Sequence, residues 1–326
     1  MNANKLRILN ILRRERGKII SGSDIGKEMD VSRAYVHQKI NSLRDEGYEI
    51  QSFKPQGYML GLEYDILSED EIKKALKTDF IGHSLRITPV EKSTIDVLKD
   101  VLKNETGLSN GETIITDRQT NGRGRFLRPF FSPAGTGLYM SIFLTPALRA
   151  EKSPLLTVAA ACAVADTLSK FGVTAQIKWV NDIVTPDGKK LCGILTEASI
   201  NVEAGVLSWA IIGIGLNVNI SHFPEKLADI AASLLTETGK IYSRNTVAAT
   251  LLNNLEKRLK EAETQPKKLI KDYKSGSFVL GKTVEVTEGK EIYTAKAIDI
   301  DDYGRLIVDR NGEILKISGG GIKVLP

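Results

Sequence analysis

The sequence predicts an α+β multidomain protein: an N-terminal winged helix-turn-helix, a central α/β core on a mixed sheet, and a small C-terminal β-barrel. Three observations carry this. Residues 1–64 hold three short helical patterns followed by a hairpin signal. Between residues 84 and 272, strand-like runs outnumber the helices, which favours a mixed or antiparallel sheet over a doubly wound one. From Ser277 onward, short strands alternate with turn signals over about fifty residues, the texture of a small barrel.

The chain's 326 residues suit two or three domains. With 42% hydrophobic and 26% charged residues, disorder and fibre are excluded as classes. Two cysteines, Cys162 and Cys192, make no disulfide framework, so a reducing, cytoplasmic setting is expected. No apolar run reaches the roughly 18 residues a membrane span needs, and the longest candidate, 155–168, is broken by Asp166. The N-terminus has no apolar segment of signal-peptide type. A net charge of +5 fits an anionic partner such as nucleic acid or nucleotide, or solubility alone.

In order along the chain, Leu6, Leu9 and Leu12 with Ile8 and Ile11 mark a first helix ending near Gly17. Ser23 is the expected N-cap of a second helix, Asp24–Met29, because its hydroxyl can accept from a free N–H of the first turn. Asp30 and Val31 turn the chain. Ser32 caps a third helix with Val36, Ile40 and Leu43 on one face, closing at Gly47. Tyr48–Phe53 and Tyr58–Leu62 around Lys54–Gly57 form the wing. Residues 1–64 hold 11 Lys and Arg against 8 Asp and Glu, so a net of +3 sits in the first fifth of the chain. Ser32, Arg33, His37, Gln38, Asn41 and the wing's Lys54 are the expected DNA contacts. Residues 65–83 read as a linker or short helix.

The core, 84–272, predicts helices over 94–104, 155–171 and 247–263. It predicts strands over 113–116, 137–144, 176–179, 193–199 and 208–218. In the C-terminal part, 277–326, strands are expected over 283–287, 293–299, 305–309 and 313–318. Glu288-Gly289 and Asn311-Gly312 are the hairpin turns.

Three clusters carry chemistry. From Arg118 to Ala150 no acidic residue occurs, and all five basic residues are Arg. At 40 acids in 326 residues, a window of 33 should hold about four. Arginine's planar fork suits phosphate or carboxylate, and Gly122 and Gly124 let the backbone approach an anion. The spacing is neither a P-loop nor a dinucleotide fingerprint. A basic surface loop is the alternative. The second cluster, Lys178-Trp179-Val180-Asn181-Asp182, offers oxygen donors for Mg²⁺ or a ribose, or is simply a turn. The pair Lys189-Lys190 then enters an apolar strand, where a lysine can face a substrate anion or line a solvated edge. The third cluster, Gly213–Asn219, leaves one strand face bare for a flat ligand or for close packing.

At these clusters the chain resembles the bifunctional biotin protein ligases that are also biotin operon repressors, and the resemblance spans the whole chain. Gly122-Arg123-Gly124-Arg125 with Arg128 looks like that family's adenylate loop. Residues 178–182 look like its Lys-Trp-Pro-Asn-Asp motif, and 190–195 like its catalytic lysine strand. The resemblance implies a core like the class II synthetases and an SH3-like barrel. It implies ATP, Mg²⁺ and biotin, with biotinyl-5′-AMP as intermediate and corepressor. The partners it implies are a biotin carboxyl carrier domain of a biotin-dependent carboxylase, operator DNA and a second copy in a liganded homodimer.

By that resemblance, Lys190 and Arg125 are catalytic. Ser93, Thr94, Gln119, Gly122, Arg123, Tyr139, Lys190, Gly193, Gly213 and Gly215 bind biotin. Arg125, Arg128, Phe130, Asn181, Asp182 and Asn217 bind the nucleotide, and Asp182 meets Mg²⁺ through ATP. Three residues depart from the pattern. Ile95 stands where Asn often follows Ser-Thr, Val180 replaces Pro, and Phe130 replaces a Trp that stacks on adenine. Cys162, Cys192, His37, His83 and His222 are too scattered for nucleophilic catalysis or a metal site. A ligand-sensing regulator without chemistry, and a ligase for lipoate, are the competing functions. Removal of 1–64 is expected to abolish DNA binding and spare transfer.

Overall fold

The computed structural model describes residues 3–45, 48–61, 65–104 and 107–325. The head begins with α1 (Ala3–Arg14), α2 (Gly22–Met29) and α3 (Arg33–Asp45), then β1 (Ile50–Phe53) and β2 (Gly57–Leu60). Leu9, Leu12, Ile25, Val36, Ile40 and Leu43 are fully buried between the helices, as their spacing requires. The cap of α2 is Ser21, not Ser23: the Ser21 hydroxyl accepts from Asp24 N at 3.0 Å. The helix begins two residues earlier than expected because Gly22 and Ser23 already take its first turn. Asp30 ends it in the left-handed region, φ 56°. Ser32 accepts from Tyr35 N, as expected of a cap. The expected helix end at Gly47 and strand end at Leu62 lie outside the described residues. The wing pairs antiparallel, Ile50 against Leu60.

Residues 65–83 are fastened rather than loose. They contain α4 (Glu69–Ala75), capped by Ser68. The core then runs β3 (Leu85–Thr88), α5 (Thr94–Lys103), β4 (Thr113–Thr116), β5 (Gly137–Leu144) and α6 (Pro154–Lys170). Next come β6 (Gln176–Lys178), β7 (Asp182–Val184), β8 (Lys190–Asn201) and β9 (Val206–Asn217). Four helices follow: α7 (Glu225–Ala228), α8 (Leu234–Thr238), α9 (Arg244–Thr264) and α10 (Pro266–Ser275). Among the described residues the sheet has the order β3-β4-β5-β9-β8-β7-β6, parallel only between β3 and β4. Helices α6 and α9 pack together with the sheet's apolar residues, and α5 lies with Ile114, Phe143 and Ile211 in a separate smaller cluster. The linker is pinned to α9: Glu256 accepts from the N–H groups of Asp79, Phe80 and Ile81, and Asn245 bonds Ser68, Ile66 and Glu71.

The C-terminal part is a five-stranded antiparallel sheet of β10 (Thr283–Glu288), β11 (Glu291–Ile300), β12 (Leu306–Arg310), β13 (Glu313–Ile317) and β14 (Gly321–Val324). Its order is β13-β12-β11-β10-β14. Its inner residues Val284, Val286, Ala297 and Val308 share one apolar core with α6, and Trp179 Nε1 donates to Gly304 O.

The head is joined to the core by buried charge. Arg244, fully buried at the start of α9, ion-pairs Asp117 at 2.7 Å and Asp65 at 2.9 Å, and also donates to Gly137 O. Asp117 takes a second arginine, Arg13 of α1, at 3.1 Å. Ala134 of the core is buried among the head's apolar residues. No helix of the described residues is long and apolar enough to cross a membrane.

Candidate active site

One cavity gathers most of the residues singled out from the sequence. Its lining includes Ser93, Thr94, Gln119, Arg123, Arg125, Arg128, Phe130, Asn181, Asp182, Lys190, Gly193, Gly213 and Gly215. At one end, Thr94 N and hydroxyl meet Gln119 Oε1 at 3.0 and 3.4 Å, and the Thr94 and Ser141 hydroxyls lie 2.7 Å apart. Gln119 Nε2 donates to Ser132. This end is a preset ladder of donors and acceptors suited to a polar ring head. Ser132 and Ser141 escaped the sequence reading, since a lone serine carries no periodic signal.

The floor is the paired strands β8 and β9, in register with Gly193 opposite Gly215 and Leu195 opposite Gly213. The bare strip is already covered. A Cβ on Gly213 would come 2.6 Å from Ile95, and one on Gly215 would come 2.5 Å from the Phe130 ring. The glycines therefore admit two bulky side chains, and the space for a ligand lies beside them. Phe130 also meets Tyr139 edge-on, and Lys190 Nζ is 5.8 Å from its ring centroid.

The arginine segment closes as an arc. Phe130 N donates to Gly122 O and Gly124 N to Arg128 O, both at 2.8 Å. At its tip Phe126 and Leu127 hold φ of 56° and 58° and are 66% and 79% exposed. Arg125 Nη1 donates to Asn181 Oδ1 at 3.4 Å. Burial draws the Arg125 pKa down, so its charge is poorly compensated without an anion. Arg123 is bound differently, to Asp96.

The hairpin of β6 and β7 sets Lys178 opposite Asp182, which in turn faces Gly193 on β8. Lys190 Nζ lies 2.7 Å from Asp182 Oδ1. Desolvation pulls Lys178 below its ordinary value, and Lys190 and Arg128 add repulsion. Lys178, Arg125, Arg128 and Lys190 thus line one cavity with the single carboxylate of Asp182, which among the described residues only Lys190 ion-pairs, so this corner holds surplus positive charge. Nothing in the 178–182 motif itself assigns Lys178 this position. Gly320, Gly321 and Ile322 of the C-terminal sheet complete the wall, and the run Gly319–Gly321 was the available signal. The Trp179–Val180 peptide, where Val stands for Pro, is cis.

Three expected site residues lie outside the lining. Asn217 is 4% exposed, and its amide donates to Lys190 O and Ala232 O, so it fastens backbone beneath the lysine. Tyr139 is fully buried and donates to Pro133 O. Gly122 packs against Ser132 and Gln119 at the root of the arc. Both cysteines are buried and free, and burial pushes the Cys162 thiol up to about 12 and Cys192 also upward. Among the described residues no three His, Cys, Asp or Glu side chains cluster as a metal site.

On the head, Arg33, His37 and Gln38 are exposed on α3, and Lys54 is exposed at the wing turn. Ser32 is exposed and holds its cap bond. Asn41 is half-buried, bonded to His37 and Arg44, and His37 Nδ1 lies 2.8 Å from Tyr58 Oη. Arg44 ties α3 to the wing through Ile50 O and Ser52 Oγ, both 2.6 Å.

Comparison with known proteins covers the same three parts. Residues 87–217 match the Biotin/lipoate A/B protein ligase family, 4–59 an HTH domain, and 279–324 the Biotin protein ligase C terminal domain. The bifunctional ligase/repressor BirA of Bacillus subtilis (strain 168) is 36% identical over 313 residues, covering 94% of each chain. BirA of Escherichia coli (strain K12) is 30% identical over 315 residues, again 94% of each. The structure of a biotin protein ligase from Aquifex aeolicus in complex with biotin and ATP superposes with a TM-score of 0.64 at 29% identity, covering 74% of this chain and 99% of that one. A ligase core, a DNA-binding head and the ligase C-terminal domain, aligned end to end with such relatives, place this chain in the family of bifunctional biotin protein ligase–repressors.

Proposed function

We infer that this chain is an ATP-dependent biotin protein ligase and a transcriptional repressor. The observation that carries it is the single cavity that unites a polar ladder, an arginine arc and Lys190 in a chain with a DNA-binding head. We divide it functionally into a DNA-binding domain at 1–64, a linker at 65–83, a catalytic domain at 84–272 and a C-terminal domain at 277–326.

In the first step a biotin carboxylate oxygen attacks the α-phosphorus of ATP. The bond to the bridging oxygen breaks, and pyrophosphate leaves with that electron pair. Two anions must meet, so the residues' first task is charge neutralisation. Lys190 holds the carboxylate, while Arg125, Arg128 and Lys178 face the phosphates. Ser93, Thr94 and Gln119 orient the ring of biotin. Asn181 and Asp182 are the oxygen donors that fit Mg²⁺, which usually binds through one or two carboxylates and the nucleotide itself. When bound, it neutralises phosphate charge. In the second step the amine of a carrier-domain lysine attacks the acyl carbon, AMP leaves, and the amine releases a proton.

Biotinyl-5′-AMP retained in the cavity acts as corepressor, favouring a homodimer whose paired heads meet a two-fold operator. Two free cysteines fit a reducing cytoplasm.

The full chain is incubated with labelled biotin, MgATP and a carrier domain. Label appears on the carrier, and Lys190→Ala lowers adenylate formation by roughly 100-fold or more, the loss typical of one group that stabilises a developing charge. No transfer, or preferential use of lipoate, would overturn the reading.

A further inference from the structure

Arg123 stands at the root of the arc, between the glycines whose backbones bond Phe130 and Arg128. Its guanidinium is committed to Asp96: Nη1 donates to Oδ2 at 2.7 Å and Nη2 to Oδ1 at 2.5 Å. Two parallel bonds fix the plane of the guanidinium as well as its position. Both side chains are largely screened from water, at 20% and 31% exposure. The hydrogen bonds hold the Asp96 carboxyl below its ordinary value and raise Arg123.

Asp96 lies in the first turn of α5, two residues after Thr94, which bonds Gln119. On the next turn Lys99 ion-pairs Glu197 of β8 at 2.6 Å, so the helix is itself fastened to the sheet. One helix start therefore holds the polar ladder and the root of the arc together. The arc needs such an anchor. Its tip carries two adjacent non-glycine residues in the left-handed region, which local backbone preference opposes.

We infer that Asp96 is a positioning residue: through Arg123 it fixes the root of the arc to α5, so that Arg125 and Arg128 meet the nucleotide in register with biotin at Thr94 and Gln119. This rests on the reading of the arc as the segment that covers the adenylate. It also reassigns Arg123, whose charge serves Asp96 rather than biotin.

The test compares the full-length wild type with Asp96→Ala, Asp96→Asn, Arg123→Ala and the Asp96→Ala/Arg123→Ala double variant. Pyrophosphate release gives KM for ATP and for biotin, and a chase gives the dissociation rate of biotinyl-5′-AMP. Each alanine variant raises KM for ATP and speeds adenylate loss by about tenfold, with KM for biotin unchanged within about twofold. The double variant is no worse than either single one, because both remove the same contact. Asp96→Asn, which keeps one acceptor, falls between, and supplies the comparison if the alanine variant does not fold. Wild-type constants in the Asp96 variants would overturn the inference. So would a loss in Arg123→Ala far exceeding that in Asp96→Ala, which marks a direct ligand contact. A wild-type protein that forms no adenylate would overturn the functional reading instead.

Discussion

Lys178 carries the clearest consequence at the scale of single residues. Its ammonium is desolvated and repelled by Lys190 and Arg128, which outweighs the attraction of Asp182, so it gives up its proton below the ordinary lysine value of 10.5. As pH rises through that lowered value the cavity loses one positive charge. The expected result is a basic fall in kcat/KM for ATP that begins below the ordinary lysine range. In Lys178→Arg, which stays charged, the fall moves to higher pH. A pH profile identical in both proteins would remove Lys178 from phosphate binding. The arginines, Lys190 and the Asn181-Asp182 pair were legible because charge and glycine spacing are written locally. Asp96 was not, because nothing in Thr-Ile-Asp-Val shows that a guanidinium from 27 positions away will close on it. The partners of Asn217 are hidden for the same reason: a strand-end amide does not show in the sequence that it donates to Lys190 O and Ala232 O.

The long elements match their expected spans to within a few residues, as do the short strands β4 and β6, whereas several other short elements carry no distinct signal in the sequence. The strands predicted at 113–116 and 137–144 match β4 and β5, whose runs are wholly buried. Helices α6 and α9 carry long apolar faces and were equally visible. Strands β3, β7 and β14 and the helices α7, α8 and α10 show no comparably distinct pattern in the sequence. Between elements, Asp117, the residue after β4, joins α1 to α9. Asp117→Ala removes a carboxylate shared by Arg13 and the fully buried Arg244. Leaving such a charge undercompensated should destabilise the fold by about 3 kcal/mol or more. A denaturant midpoint equal to the wild type's would show the join to be energetically idle. The same join changes the expectation for a cut at residue 64. That cut removes Arg13 and the head's cover over Ala134, so it weakens the core as well as abolishing DNA binding.

Across the whole molecule, charge separates two anionic partners. The head carries +3 of the total +5, and the acid-free arginine segment lies at the cavity. The logarithm of operator affinity should therefore fall linearly with the logarithm of salt, and Lys54→Ala should lessen the slope by about 1 per head if it neutralises one phosphate. Affinity should also rise with biotin plus ATP. An unchanged slope, or affinity indifferent to both ligands, would count against Lys54 and the corepressor respectively.

The three-part order of the chain, the wing, the arginine loop and the lysine strand are written in local patterns, because periodicity, turn chemistry and charge act over a few neighbouring residues. What those features touch follows from the packed fold. It brought the glycine run at 319–321 to the cavity wall, filled the bare strip of β9 with Ile95 and Phe130, and closed Asp96 on Arg123. It also bound the head to the core through Arg13, Asp117 and Arg244. Such contacts join residues tens to hundreds of positions apart, and their partners are set by strand register and helix packing, which no local pattern encodes.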